Sequence, residues 1–448
     1  MAKLWDKGYS VDAEVEGFTV GEDARLDRAL VRADVLGSMA HATMLAAVGI
    51  LTDGERDRLL GGLRAVLADF EAGTFTIRPE QEDVHTAVEE YLTERLGDLG
   101  KKIHTGRSRN DQVLLDLRLW GKEQLHALAD RAVALVRALT AFAREHEFVP
   151  MPGRTHTQIA MPSSLGLWAG AWAEALLDDL ELVKAAHALT DQSPLGSGAA
   201  YGSALALDRQ MVADLLGFAT VQNNVLYCAN SRGKAELATL AACAAAMTDL
   251  SRLASDLIWT STPEFGYFRI PEDLCTGSSM MPQKRNPCHL ELVRAKAAAV
   301  AGCEMQVAGI LRALPSGYNR DVQETKGPFM RGVEATAGSL TVLRLTIERM
   351  EVVEANLRKG FIPEIFATDR ALELVAEGTP FRDAYREVAA HLDDLAARDP
   401  VANLKSKTLQ GGPGNLGLDQ VDARAEAAAA WLEGVREPFE AALAALLG

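Results

Sequence analysis

The residues from Gly277 to Pro287 read GSSMMPQKRNP, which places two hydroxyls behind a glycine and two cations between prolines. The chemistry this order offers is the handling of negative charge. Asn286 followed by Pro287 reads as an N-cap and a first helical residue, so a helix is predicted to start there and run through LELVRAKAAAV. The preceding loop then brings backbone N–H groups and Lys284 to the positive end of that helix, which favours a bound anion or a charge developing in a reaction. A serine in such a field gives up its proton more readily and can serve as a base. Gly277 and the Ser278–Ser279 pair supply the flexibility of a closing lid. An ordinary mobile loop would also be flexible, but it has no need of adjacent methionines, Lys284 and Asn-Pro in this order.

Other polar segments carry side chains of the same kind. HTGRSRNDQ (His104–Gln112) offers the guanidinium forks of Arg107 and Arg109, which suit carboxylates, with Gly106 to free the backbone and Ser108 or Asn110 to cap a following helix. Helix capping beside surface arginines explains the same residues without function. GRTHTQ (Gly153–Gln158) sets His156 among Thr155, Thr157 and Gln158, just ahead of an apolar helix. A lone histidine is more often structural than catalytic, and its polar company is what marks this one. QSPLGSGAAYGS (Gln192–Ser203) is either a plain connection or a cradle of N–H groups for an anion. SGYNRDVQETKGP (Ser316–Pro328) gathers Tyr318, Asn319, Arg320, Gln323 and Lys326, with a solvated loop as the plain alternative.

These segments need a scaffold. Apolar residues at three- and four-residue spacing (Leu117, Trp120, Leu125, Leu128, Val133, Val136, Leu139) predict a helix over Leu114–Phe148. The same period predicts helices over Ser163–Leu189, Glu236–Trp259, Leu290–Leu314 and Val333–Leu357. Alternating β segments are hard to find. AACAAAM at 241–247 and AKAAAVAGC at 295–303 give small-residue faces that let helices approach closely and call for cover on most sides, which points to an oligomer. Helices up to about residue 105 are shorter and more charged, and a second change falls near GFIPE at 360–364. The predicted division is therefore 1–105, 106–360 and 361–448.

The 448 residues are 48% hydrophobic with mean hydropathy −0.01, as expected of a soluble globular chain with a large core. A net charge of −16 disfavours nucleic acid or an anionic membrane as partner, since both need a basic footprint, but leaves room for a small anion held by local cations. Cys228, Cys243, Cys275, Cys288 and Cys303 are odd in number and form no C-x-x-C. They read as reduced thiols of a cytoplasmic protein, not as a disulfide framework or a zinc site. MAKLWDKGYS at the start lacks the apolar run of a signal peptide. The longest stretch without Asp, Glu, Lys or Arg, Thr155–Ala173, contains His156, Gln158 and Pro162 and does not read as a membrane span.

GSSMMPQKRNP resembles the signature of the fumarase/aspartase superfamily of lyases, G-S-S-x-M-P-x-K-x-N-P, at every fixed position. HTGRSRNDQ and GRTHTQ resemble that superfamily's first and second regions. Within it, KLW (3–5), EDVHTAVEEYL (82–92), KIHTGRSRNDQV (102–113), SPLGSGA (193–199), MPQKRNP and GYNRDVQETK (317–326) resemble the argininosuccinate lyase family, in order, to about residue 330. The resemblance implies an all-α, three-domain subunit with a long central helix bundle, assembled as a homotetramer with active sites shared between subunits. It implies reversible cleavage of argininosuccinate to fumarate and L-arginine, the last step of arginine biosynthesis, with no metal and no organic cofactor.

In that reaction a base takes a proton next to a carboxylate. The resulting aci-carboxylate dianion is held by cations and N–H groups, and an acid protonates the leaving guanidinium nitrogen. By motif position, Ser278 is implied as the base and His156 as the acid. Lys284 and Asn286 would hold the carboxylates, and Glu291 would orient His156 and raise its pKa. Ser108, Arg109, Asn110, Thr155, Tyr318, Gln323 and Lys326 are implied as substrate-binding, with Asp83, His85 and Arg232 in binding or support.

Two departures stand out. The family's F-N-A-S segment is here FTVGEDARLD (Phe18–Asp27), read as two residues longer with no serine aligned, so that Asp23 or the Gly21 backbone is left to replace that contact. SRGK at 231–234 also differs from the family's acidic-aromatic version. Adenylosuccinate lyase, fumarase and aspartase share the loop chemistry but not PQK or the Tyr–Gln–Lys cluster. A helical interaction protein that had lost activity would be expected to lack one of Ser278, His156, Lys284, Asn286 or Glu291.

Overall fold

The computed structural model describes residues 12–448, apart from the side chain of Pro79; the KLW match at 3–5 lies outside the described residues. Long helices run Arg109–Glu145, Leu165–Thr190, Lys234–Thr260, Cys288–Leu311 and Lys326–Arg349. All lie near the spans that the apolar spacing predicts, but the last is shifted. It begins at Lys326, not Val333, because Pro328 falls in the first turn, where no intrahelical N–H is required. It stops at Arg349, and the extended Met350 (φ −68°, ψ 144°) leads into Glu351–Val352, which pairs with Phe268–Arg269.

Helix Lys234–Thr260 lies against Cys288–Leu311, Leu165–Thr190 and Lys326–Arg349. Its buried Leu240, Met247, Leu250, Leu253 and Leu257 share one apolar cluster with Leu176, Leu180, Val300, Leu340 and Leu343. Each buried leucine of this kind contributes ~1.5–3 kcal/mol relative to exposure. Small residues set the spacing: a Cβ on Gly332 would fall 2.3 Å from Leu240 Cδ2. By length and composition helix Lys234–Thr260 passes for a membrane span, with mean hydropathy 1.2 over its most apolar window. Its place at the centre of the bundle accounts for that character.

Helices Val31–Ala47, Asp53–Glu71 and Val84–Leu96 form a second apolar cluster. It also takes in Leu115 and Leu119 near the start of Arg109–Glu145, and Phe439 and Leu443 from the terminal helix Leu418–Leu447. Ala371, Leu374, Ala384 and Val388 make a small third cluster.

The chain is mostly helical, yet a hairpin that the sequence reading missed pairs Pro150–Thr155 antiparallel with Gln158–Ser164. Pro150, Pro152 and Pro162 fall within it, and proline inside a run argues against a strand. Among the described residues this pair has no neighbouring strand to satisfy, so the missing N–H groups cost little.

Candidate active site

The start of helix Arg109–Glu145 is fixed by a capping box, a device that contributes about 1 kcal/mol. Ser108 Oγ accepts from Asn110 N at 3.2 Å, and the Asp111 carboxylate accepts from Ser108 N at 2.8 Å. The second Asp111 oxygen accepts from Gly196 N at 3.0 Å and Gly198 N at 2.9 Å. The N–H groups of the third polar segment thus cradle an anion, but an internal one, and the loop is tied to the helix start.

Beside this junction lies a cleft lined by Asp83, His85, Arg109, Asn110, Arg232, Tyr318, Gln323 and Lys326, all singled out in the sequence. Asp83 caps helix Val84–Leu96 by accepting from Thr86 N at 2.9 Å. Arg109 Nη1 lies 2.9 Å from Glu82 Oε2 and 3.1 Å from Asp83 Oδ2. Burial weakens the Arg109 charge, but Asp83 and Glu82 outweigh it and hold the guanidinium above its ordinary pKa. Gln323 Nε2 and Arg320 Nη2 donate to Thr19 O at 3.1 and 2.7 Å, fastening the end of helix Ala13–Val20 to the cleft.

Lys326, read as a substrate-binding residue of a loop, is instead the first residue of its helix and 1% exposed. Its Nζ donates to Asp23 Oδ1 at 2.9 Å and to Asp27 Oδ1. Burial opposes the ammonium; Asp27 and Asp23 reverse that and raise its pKa. Asp23 thus lines the cleft as the partner of Lys326.

Behind the cleft, His85 Nδ1 lies 2.7 Å from Asp34 Oδ1 and 3.7 Å from Asp116 Oδ2, all three side chains being buried. Burial disfavours the imidazolium, but Asp34, with Asp83 and Asp116 nearby, pushes His85 up to about 9. Burial and then the Asp34 charge hold Asp116 well above the usual carboxyl range. The three side chains form one buried group in which Asp34 is the nearest partner of His85. Its ligating atoms lie within 4.8 Å of one another, a spacing that suits a cation.

The GSSMMPQKRNP loop closes on itself. Thr276 and Asn286 exchange two backbone hydrogen bonds of 2.9 Å, and Asn286 Nδ2 donates to Gly277 O at 3.2 Å. This corrects the predicted cap. Asn286 is held extended in the bridge, its amide is used within the loop, and the helix starts at Cys288 with Pro287 as N-cap. Ser278 Oγ, half-buried, accepts from Met281 N at 3.1 Å and Met280 N at 3.3 Å. Ser279 is exposed and Lys284 makes no ion pair among the described residues.

His156 and Thr157 form the two-residue turn of the hairpin, between the paired Thr155 and Gln158, and both have positive φ, 50° and 64°. The turn is exposed, as is Glu291 on the first turn of helix Cys288–Leu311. Ser278, Lys284, Asn286, His156, Thr155, Glu291 and Ser108 all lie outside the cleft lining. Among the described residues, no hydrogen bond or ion pair joins His156 to Glu291.

Residues 10–302 match the model of a family described as Lyase. The chain is 45% identical over 422 residues to argininosuccinate lyase of Sorangium cellulosum, covering 94% of this chain and 98% of that one. It is 44% identical over 387 residues to argininosuccinate lyase of Thermotoga neapolitana, covering 86% and 97%. The chain belongs to the argininosuccinate lyase family. Its fold is fumarase/aspartase-like. An EDDS lyase in complex with formate superposes with TM-score 0.82 at 23% identity, covering 98% of this chain and 96% of that one. A class II fumarase from Schistosoma mansoni gives 0.72 at 16%, covering 86% and 94%. At those identities the solved structures speak for the fold alone.

For this argininosuccinate lyase family member, the sequence reading passed over Asp27 and Glu82, which also line the cleft, as does Arg320, named in its polar segment but given no role there. Glu82 stood beside Asp83 in the quoted EDVH run and is a non-glycine residue at φ 66°, a signal only the backbone could give. Asp34 and Asp116 carried no signal of their own, since each sits in a helix at an ordinary position.

Proposed function

We propose that the protein cleaves argininosuccinate reversibly to fumarate and L-arginine by β-elimination through an aci-carboxylate carbanion. The observation that carries the reading is the nest around Ser278 Oγ: two backbone N–H groups point at it, and hydrogen bonds given to the charged form of a group favour that form. Ser278, rather than its neighbour, is therefore the base that takes the proton next to the substrate's carboxylate. Lys284, which has no ion-pair partner among the described residues, and Asn286 on the same loop meet the carboxylates and hold the dianion as it forms. His156, oriented by Glu291, gives its proton to the departing guanidinium nitrogen. Arg109, Asn110, Tyr318 and Gln323, with Arg232, Asp83, His85 and Lys326 in support, form the binding cleft, and Ser108 and Thr155 complete the contacts.

In one chain the loop and the turn stand apart from that cleft, which favours a homotetramer whose sites are assembled from several copies. The exposed face of helix Cys288–Leu311 supports the same assembly, with Met305 75% and Leu292 55% exposed between alanines. We divide the subunit at 105 and 360 and place it in the cytoplasm, a reading supported by five free cysteines.

The test is ultraviolet detection of fumarate from argininosuccinate, malate, aspartate and adenylosuccinate in separate reactions. Release from argininosuccinate alone is the expected outcome. Release from one of the others, and none from argininosuccinate, overturns the assignment.

A further inference from the structure

The turn that carries His156 is an uncomfortable one. A two-residue hairpin turn with both central residues at positive φ favours Asn-Gly and its relatives, and a β-branched residue there is a steric outlier. Here the positions hold His156 and Thr157. Such strain persists only where the surroundings over-determine it.

One side chain does so. The strand register shifts between Gly153 and Arg154, leaving Ala160 of the facing strand without a partner. Arg154 Nη1 donates to Thr157 O at 2.9 Å, across the turn from its own strand. Its guanidinium lies 5.0 Å over the Phe265 ring, and Nη2 is 3.5 Å from Tyr267 Oη. Phe265 and Tyr267 meet edge-on with centroids 5.5 Å apart, and Tyr267 is buried. The Tyr267 backbone is itself fixed, donating to Thr260 O at 2.8 Å and accepting from Val353 N at 2.9 Å. An unbroken line of contacts thus runs from the central helix Lys234–Thr260 through Tyr267, Phe265 and Arg154 to the carbonyl next to His156.

We infer that Arg154 is a positioning residue, which holds the strained His156–Thr157 turn in the orientation from which His156 delivers its proton. This rests on His156 being the general acid. Arg154 does not itself have to touch substrate: its charge is directed at a backbone carbonyl and an aromatic face, and its effect passes through the turn.

The test compares Arg154→Met, Arg154→Lys and His156→Asn in the full chain, with argininosuccinate as substrate. Arg154→Met, which keeps the length but loses the donors, lowers kcat on the order of 10- to 100-fold, the scale of a small misplacement of a reacting group. KM stays near its original value, the basic limb of the kcat–pH profile moves, and the denaturant midpoint and oligomeric state hold. Arg154→Lys, which can still donate to Thr157 O, recovers part of the loss. Unchanged kcat in Arg154→Met, or a raised KM with kcat intact, overturns the inference. If Arg154→Met does not fold, Phe265→Leu decides: it removes the ring beneath the guanidinium and lowers kcat at constant KM, and unaltered kcat counts against the inference. Full activity in His156→Asn overturns the underlying acid assignment instead. An inactive His156→Asn beside a fully active Arg154→Met overturns the positioning role alone.

Discussion

Replacing Ser278 with alanine lowers kcat by ~100- to 10,000-fold, the range for losing a general base, while the assembly and its unfolding midpoint stay unchanged. The effect is large because the base is lost with the oxygen at which Met280 N and Met281 N both point. The fold is indifferent because the loop's closure rests elsewhere, on the Thr276–Asn286 bridge and the Asn286 amide on Gly277 O. Ser279→Ala, three atoms along the chain but outside the nest, changes kcat only slightly. Steady-state kinetics on the two variants checks this. Near-native turnover in Ser278→Ala, or a collapse confined to Ser279→Ala, sinks the assignment of the base.

The second large effect is on stability. Lys326→Met leaves Asp23 and Asp27 facing each other without the ammonium that lies between them. Asp27 also accepts from Val84 N at 3.1 Å, so the disturbance reaches the helix that carries Asp83 and His85. Removing one partner of a buried ion pair costs ~3–5 kcal/mol, because an uncompensated charge remains inside. The expected result is a fall of that size in unfolding free energy, read from denaturant titration, together with loss of turnover. Adding Asp27→Asn restores much of the stability but not the activity. An unfolding midpoint equal to that of the unaltered protein contradicts the account of this pair.

How much of this could be read from the chain depends on where the cause lies. The long helices were legible because their cause is local: apolar residues repeat every three or four positions, and Ser108, one of two caps the sequence offered, does cap Arg109–Glu145. The chemical segments were legible because glycine, serine and paired cations interrupt that repeat. Lys326 was not, since its burial is decided by Asp23 and Asp27, about three hundred residues away along the chain. Nor was the hairpin, whose turn lacks the usual Asn-Gly and depends on Arg154 reaching over to Phe265 and Tyr267. The Asn286 cap failed for a related reason. Asn-Pro is a good local start signal, but pairing with Thr276 offered Asn286 a better use of its backbone. For the loop with Gly196 and Gly198 the sequence left a plain connection and an anion cradle open, and only the fold could say that it is a cradle filled by Asp111.

The central claim is that the Ser278 loop and the His156 turn, which stand outside one chain's cleft, meet in sites made by several copies. Mixing tests it most directly. Ser278→Ala and His156→Asn, each inactive alone, are unfolded together, refolded as mixed oligomers and assayed for fumarate release from argininosuccinate. If the two residues come from different copies, some mixed sites hold both native side chains and activity returns. If refolding yields mixed oligomers with no activity above that of the separate variants, while an identically treated unaltered sample recovers its own, the shared site is contradicted.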